Sequence, residues 1–285
     1  MNIQVSYERP HTQWSVFNVF HLYYQHIVET NKDINFNYVN SSKLFNGNPS
    51  SYYSPHLMTI KNLDNNKYII ISYWDKAEEL KGKGHGWDDE HRVQLVTSSG
   101  VHSDLIYTPF TYLCYSTQYD ELSKNAKSNS EKEDKSLSFR GFLYGDRLRL
   151  SKLNKIKVTD QKIFPEENYF KELTNTKVCL SLNGVAEICN RDMEILSAKS
   201  VLLRPKLTQK FHNELVDGYH YVGFDYDSDP DRQSEIILDK FNEIINNDEF
   251  LNFISKNGYE WFLNNGTINS NVRILTEIIN LEILK

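Results

Sequence analysis

Cysteine is scarce in this chain. Its 285 residues hold three, Cys114, Cys179 and Cys189, an odd count with no Cys-x-x-Cys spacing. That argues against a disulfide scaffold or a cysteine-built zinc site and fits free thiols in a reducing compartment. Long apolar runs are missing as well. No stretch approaches the roughly 18 apolar residues that span a bilayer. The opening, MNIQVSYERPHTQ, has neither the basic start nor the apolar segment of a signal peptide. The expected location is cytoplasmic, of a cell or of a virus-infected host. Nor is there an excess of positive charge: 32 Lys and Arg stand against 38 Asp and Glu, a net charge of −6. This opposes binding of duplex DNA through bulk charge. The chain also lacks a GxxxxGK[ST] loop and a GxSxG elbow, which argues against a nucleoside triphosphatase and a serine hydrolase.

What is abundant is aromatic: 18 Tyr and 15 Phe in a chain 39% hydrophobic, which excludes disorder throughout. The length allows two modest domains. Ile3, Val5 and Tyr7 alternate with polar residues, as in a strand. Trp14, Phe17, Phe20, Tyr24, Ile27 and Val28 then recur at helical spacing, and residues 34–39 alternate again. The chain thus opens β-α-β, as a Rossmann-like domain does. Strands are expected at 57–61 and 67–74 around the turn Asp64-Asn65-Asn66, at 93–97, and within 106–115. Residues 120–136 are polar and charged and read as a linker or mobile loop between two halves. Beyond it, LSFRGFLYGDRLRL reads as strand, glycine turn and helix. Residues 156–160 read as a strand and 167–176 as a helix. From Ser234 to the end the pattern is helical.

The most informative stretch is residues 177–205, KVCLSLNGVAEICNRDMEILSAKSVLLRP. It reads as a strand ended by Asn183-Gly184, a helix over 186–198, and a strand stopped by Pro205. A β-α-β unit places ligands at the carboxyl ends of its strands, and Asn183, Glu187, Arg191 and Glu194 collect there. A helix start after a glycine turn suits a phosphate, and an arginine one turn on adds a fork of donors.

This stretch resembles the donor half of glycosyltransferases with two Rossmann-like domains, the B-type fold. The features that carry the likeness are Gly184, Arg191, Glu194, Leu196 and the pair Leu203-Arg204, joined by Phe139-Arg140-Gly141 and Arg147 in the preceding unit. The nearest flavour is the group of protein O-glucosyltransferases and capsular xylosyltransferases. The likeness covers roughly residues 137–283. Where the family has a glycine before the last strand, this chain has Lys199.

The resemblance implies an α/β fold of two Rossmann-like domains facing a cleft. Residues 1–125 would bind an acceptor, 126–136 would link, and 137–285 would bind a nucleotide sugar, UDP-linked in the first instance. It implies glycosyl transfer, hexosyl or pentosyl, to a hydroxyl of a glycan, protein or small molecule, with no obligatory cofactor or metal. Arg140, Arg147 and Arg191 would meet the donor diphosphate, supplying fixed charge where other transferases use a metal. Asn183 and Gly184 would shape the turn. Glu194 would hold the ribose diol, and Glu187 would face the sugar; at seven residues' separation a helix would set both on one face. On the acceptor side, His11 in the first β-α loop is the candidate general base, and Asp75, after the strand KYIIISYW, is its rival. Inversion and retention are both left open.

Other features read more plainly. GKGHGWDDEH at 82–91 sets its carboxylates side by side, so on a strand they point apart; it reads as a loop rather than a metal site. DYDSDPDR at 225–232 has Pro230 where a calcium loop needs glycine and Ile236 where it needs glutamate, and reads as a turn capping the next helix. Two alternatives stand beside the transferase: an enzyme that glycosylates hydroxylated bases of phage or viral DNA, and a non-catalytic nucleotide or sugar binder on the same scaffold.

Overall fold

The computed structural model describes residues 2–7, 18–40, 57–72, 92–96, 108–109, 118–140, 156–159, 166–184, 187–208 and 213–282. Two sheets organise them.

The first sheet has six strands in the order β2-β1-β3-β4-β5-β6. They are β1 (Asn2–Tyr7), β2 (Asn35–Asn40), β3 (Leu57–Asn62), β4 (Tyr68–Ser72), β5 (Arg92–Val96) and β6 (Thr108–Pro109). Helix α1 (Asn18–Thr30) joins β1 to its parallel neighbour β2, as the opening β-α-β pattern predicts. The sheet is not wholly parallel: β3 runs antiparallel to both β1 and β4. The cause is local. The turn Leu63–Lys67 is too short for a parallel crossover, so it can only close a hairpin. Its geometry is set by Asn62 Oδ1 and Asn65 Oδ1, which accept from the amides of Asp64 and Lys67, and by Asn66 at φ 62°.

The core over this sheet follows the two periods of the chain. Ile3, Val5 and Tyr7, Met58 and Ile60, and Ile69 and Ile71 alternate inward, and Phe20, Tyr23 and Ile27 line α1. Val28, expected on the same face, is 37% exposed. The remaining wall comes from the far end of the chain. Helix α7 (Ile268–Glu282) packs Val272, Leu275 and Ile279 into this cluster.

The second sheet is all parallel, with order β11-β10-β9-β7-β8. Its strands are β7 (Leu137–Arg140), β8 (Ile156–Thr159), β9 (Val178–Leu180), β10 (Val201–Pro205) and β11 (Val222–Phe224). Strands β9, β10 and β11 are buried along their whole length, as parallel strands covered on both faces must be. Cys179 and Leu202 face α2 (Gln118–Asn125), α3 (Glu166–Asn175) and α4 (Asn190–Ser197). Val178, Leu180, Val201 and Leu203 face α5 (Pro230–Ile244) and the start of α6 (Asp248–Asn265). Asp229 caps α5 by accepting from the amides of Asp231 and Arg232, with Pro230 in the first turn, the role read for this acidic run.

The polar segment 120–136, expected as a linker or mobile loop, is ordered. It folds onto the second sheet as α2 and a 3-10 turn at Asn129–Glu131. Tyr119 and Leu122 enter its core, and Asn129 donates to Lys177 O. Lys132 is buried, its Nζ donating to Leu173 O, Thr176 O, Ala198 O and Ser200 Oγ at 2.6–3.4 Å. Composition gives no warning of this, because the ammonium is satisfied by main-chain carbonyls distant in sequence.

Candidate functional site

The chain leaves β7 for β8 on one side and then returns to β9 on the other. This sheet order is the flavodoxin-like one, and its direction reverses between β7 and β9. In open parallel sheets, ligands lie at such a switch point, in the crevice outside the carboxyl ends of the strands. Arg140 ends β7 there, Ser181 to Gly184 follow β9, and α4 starts beside them.

Arg191 lies under this crevice. Its Nε donates to Leu180 O at 2.6 Å on β9, and Nη2 donates to Ser138 O at 3.3 Å on β7. The guanidinium stands 5.2 Å from the Phe139 ring centre, and Nη1 donates to Tyr169 Oη on α3. Tyr169 Oη in turn donates to Glu194. Burial opposes the Arg191 charge, but Tyr169, Cys179 and Glu194 outweigh it and hold its pKa above the ordinary value. Burial, then Glu194, pushes the Tyr169 phenol well above its own. The fork expected on the diphosphate is thus turned inward, onto the carbonyls of the two strands that flank the switch point. Glu194, half-buried, ends the same chain of hydrogen bonds.

Glu187 does not share a helix face with Glu194. Helix α4 begins only at Asn190, because Asp192 Oδ2 accepts from Cys189 N at 2.7 Å and fixes the helix start there. Glu187 stands in the preceding turn, where Oε1 accepts from Thr208 N and Oγ1 at 2.8 and 2.9 Å. Asn183 is exposed, and Gly184 is half-buried.

Arg204 is the residue that sequence reasoning passed over as a site residue. It is 1% exposed, inside β10. Nη1 meets Asp192 Oδ1 at 2.9 Å, Nη2 donates to Glu187 O at 2.8 Å and to Asn183 Oδ1 at 3.2 Å, and Nε donates to Pro205 O. The signal was in the letters VLLRP: a charge inside a strand buried on both faces needs a partner.

Lys199, which stands where the resemblance expects glycine, has a left-handed backbone. It sits at φ 54°, with Lys199 N bonded to Leu196 O and Ser200 N to Ile195 O. This is the glycine-type helix ending, here built with lysine.

Asp225, Asp227, Asp229 and Asp231 carry the Asp-x-Asp spacing of metal-using transferases, a pattern the calcium comparison passed over. In the structure Asp225 pairs with Lys206 and Asp227 with Arg232, while Asp229 caps α5. Among the described residues, no three His, Cys, Asp or Glu side chains gather as a metal site, and no helix is long and apolar enough to cross a membrane. His11, Asp75, Arg147 and the loop 82–91 lie outside the described residues, as does the side chain of Arg140.

Neither a family model nor a curated protein sequence matches this chain. Solved structures do resemble it. A glycosyltransferase from Rickettsia africae shares 10% identity at a TM-score of 0.42, with 97% of this chain and 84% of that one covered. A TarM mutant from S. aureus, in complex with Fondaparinux, alpha-GlcNAc-glycerol and UDP, shares 10% identity at 0.38, with coverages of 78% and 62%. The GtfA/B complex shares 9% identity at 0.39, with coverages of 67% and 53%. The chain thus spans less than two thirds of the TarM and GtfA/B chains. Scores at this level leave the fold and chemistry of this chain to be argued from its own sheets and side chains.

Proposed function

We propose that the chain is a glycosyltransferase that moves a sugar from a nucleotide sugar, UDP-linked in the first instance, to an acceptor hydroxyl. The observation that supports this reading is the switch point between β7 and β9, where Arg140 ends β7, Asn183 and Gly184 follow β9, and Arg191 bonds the carbonyls of both strands. The donor lies across it, with its diphosphate at the start of α4, where main-chain amides and the helix dipole favour an anion. Arg140 and Arg147 reach the diphosphate from the β7 side, and Arg191 adds charge from beneath. The leaving diphosphate gains charge as the glycosidic bond breaks, and fixed cations stabilise it without reorganisation. No metal is required in this scheme. The first sheet holds the acceptor, and His11, or Asp75 in its place, takes the acceptor proton if the reaction inverts.

The test is a thermal-shift panel of UDP-, GDP-, ADP-, CMP- and dTDP-sugars, followed by turnover with and without EDTA. A donor at about a hundred times its dissociation constant adds ~2.7 kcal/mol and is readily seen. No shift with any donor overturns the reading. A shift with no turnover against any acceptor leaves a non-catalytic binder. Activity that vanishes with EDTA and returns with Mn²⁺ or Mg²⁺ overturns the metal-free part.

A further inference from the structure

We infer that Arg204 is the positioning residue of the donor site, acting with Asp192 to set the shape of the turn between β9 and α4. This rests on the reading that the donor diphosphate lies at that turn.

Both members of the pair are 1% exposed. A buried pair of this kind seldom stabilises a fold better than apolar residues of similar volume, so its bonds locate what it is for. Arg204 spends them on the turn: Nη2 on Asn183 Oδ1 and on Glu187 O, on either side of Gly184. Asp192 divides its two oxygens. Oδ1 takes Arg204 Nη1, and Oδ2 takes the amide of Cys189, the last residue before α4. One guanidinium therefore ties strand β10 to Asn183, to Glu187 and, through Asp192, to the helix start. A planar fork can hold such a set in a fixed arrangement, whereas an ammonium is a point charge. A phosphate cradle needs its amides aimed before the ligand arrives, and a misplacement of about 1 Å can cost on the order of a hundredfold. Arg204 thus acts through the turn and does not itself touch the donor.

Three measurements test this. In Asp192→Leu/Arg204→Met an apolar pair replaces the ionic one. The melting temperature is expected to hold, while the donor dissociation constant, measured with the nucleotide sugar that stabilises the wild type, rises about tenfold to a hundredfold. Donor binding within about twofold of wild type, in a variant that still melts cooperatively, overturns the positioning role. Arg204→Lys keeps the charge for Asp192 but cannot span Asn183 and Glu187. Its donor KM is expected to rise with kcat at saturating donor preserved; an unchanged KM counts against the role. Should the double variant not fold, amide exchange on the ligand-free wild type decides. The amides of Cys189 and Asp192, which donate to Asp192 Oδ2 and Cys189 O, are expected to exchange far more slowly than open chain, and exchange at open-chain rates overturns a pre-set turn. A wild type that no nucleotide sugar stabilises overturns the donor reading instead, an outcome distinct from each of these.

Discussion

Tyr23 Oη donates to Asn271 Oδ1 at 3.1 Å, joining the first helix of the chain to the last across 248 residues. Asn271 is fully buried, and its amide nitrogen donates to Asn265 O and Thr267 O, so one side chain holds the α6–α7 junction and docks α7 on α1. Tyr23→Phe leaves the Asn271 carbonyl buried without this donor and is expected to cost about 1–3 kcal/mol. Asn271→Leu is expected to cost more, because it strips three bonds at once. Removal of residues 268–285 should leave the first sheet unable to fold, since Val272, Leu275 and Ile279 form part of its core. Chemical denaturation reports the first two changes. For the third, a truncated chain that keeps a cooperative transition for the first sheet counts against the docking.

Lys199 holds a left-handed backbone that costs a residue with a side chain roughly 1–2 kcal/mol. Its ammonium offsets part of this by donating to Ala126 O at 3.2 Å and lying 4.7 Å from the Tyr259 ring centre. Lys199→Gly relieves the strain and loses the contacts, so it is expected to be near neutral. Lys199→Ala keeps the strain and loses the contacts, and should be about 1 kcal/mol less stable than the glycine variant. Urea midpoints give the order, and an alanine variant as stable as the glycine one refutes it.

Burial pushes the Lys132 ammonium down to about 7 from its ordinary 10.5. Between those values the unfolded chain binds more protons than the folded one, so this group makes stability rise with pH across that window. Below about 7 both states are charged and the cost of burying the cation is fully present. The melting temperature of wild type relative to Lys132→Met is therefore expected to increase from neutral to alkaline pH. A flat difference means that the surrounding carbonyls keep the proton in place.

Arg191→Met is expected to cost about 3–5 kcal/mol, because it strips a buried charge from the chain it forms with Tyr169 and Glu194. Donor binding should fall with it. Arg191→Lys, which keeps the charge but cannot bridge Leu180 O and Ser138 O, should bind donor with intermediate affinity. Calorimetry on the folded lysine variant checks this; wild-type affinity there removes Arg191 from the donor site.

His11→Ala is expected to lower turnover by ~10²–10⁴ while donor affinity stays close to wild type, because the proposed function assigns the donor to the second sheet. Loss of donor binding makes His11 a donor contact. Unchanged turnover moves the role to Asp75. A retained anomeric configuration in the product removes the need for a base in this position.

Much of this molecule was legible in its letters, because period and punctuation are local. The alternation in Ile3, Val5 and Tyr7, the spacing of Phe20 and Ile27 and the breaks at Asn183-Gly184 and Pro205 locate strands, helices and turns with little reference to the rest of the chain. The place of the candidate site was legible for the same reason: a strand, a glycine turn and a helix bring Asn183, Arg191 and Glu194 to one end of a sheet.

What only the tertiary structure decided is where each charge is satisfied. Lys132 looked like part of a solvated linker until four acceptors from two distant segments closed around it. Arg191 read as a fork for the diphosphate until the backbone carbonyls of two strands took it inward, and Arg204 passed as a strand residue until Asp192 met it. Hydrophobic pattern is a property of neighbouring residues, whereas the partner of a buried charge is chosen by the packing of elements far apart in sequence. The periodicity of the chain therefore determined most of its elements and their order, and the tertiary fold determined which of its cations stand beneath the crevice and which hold it in shape.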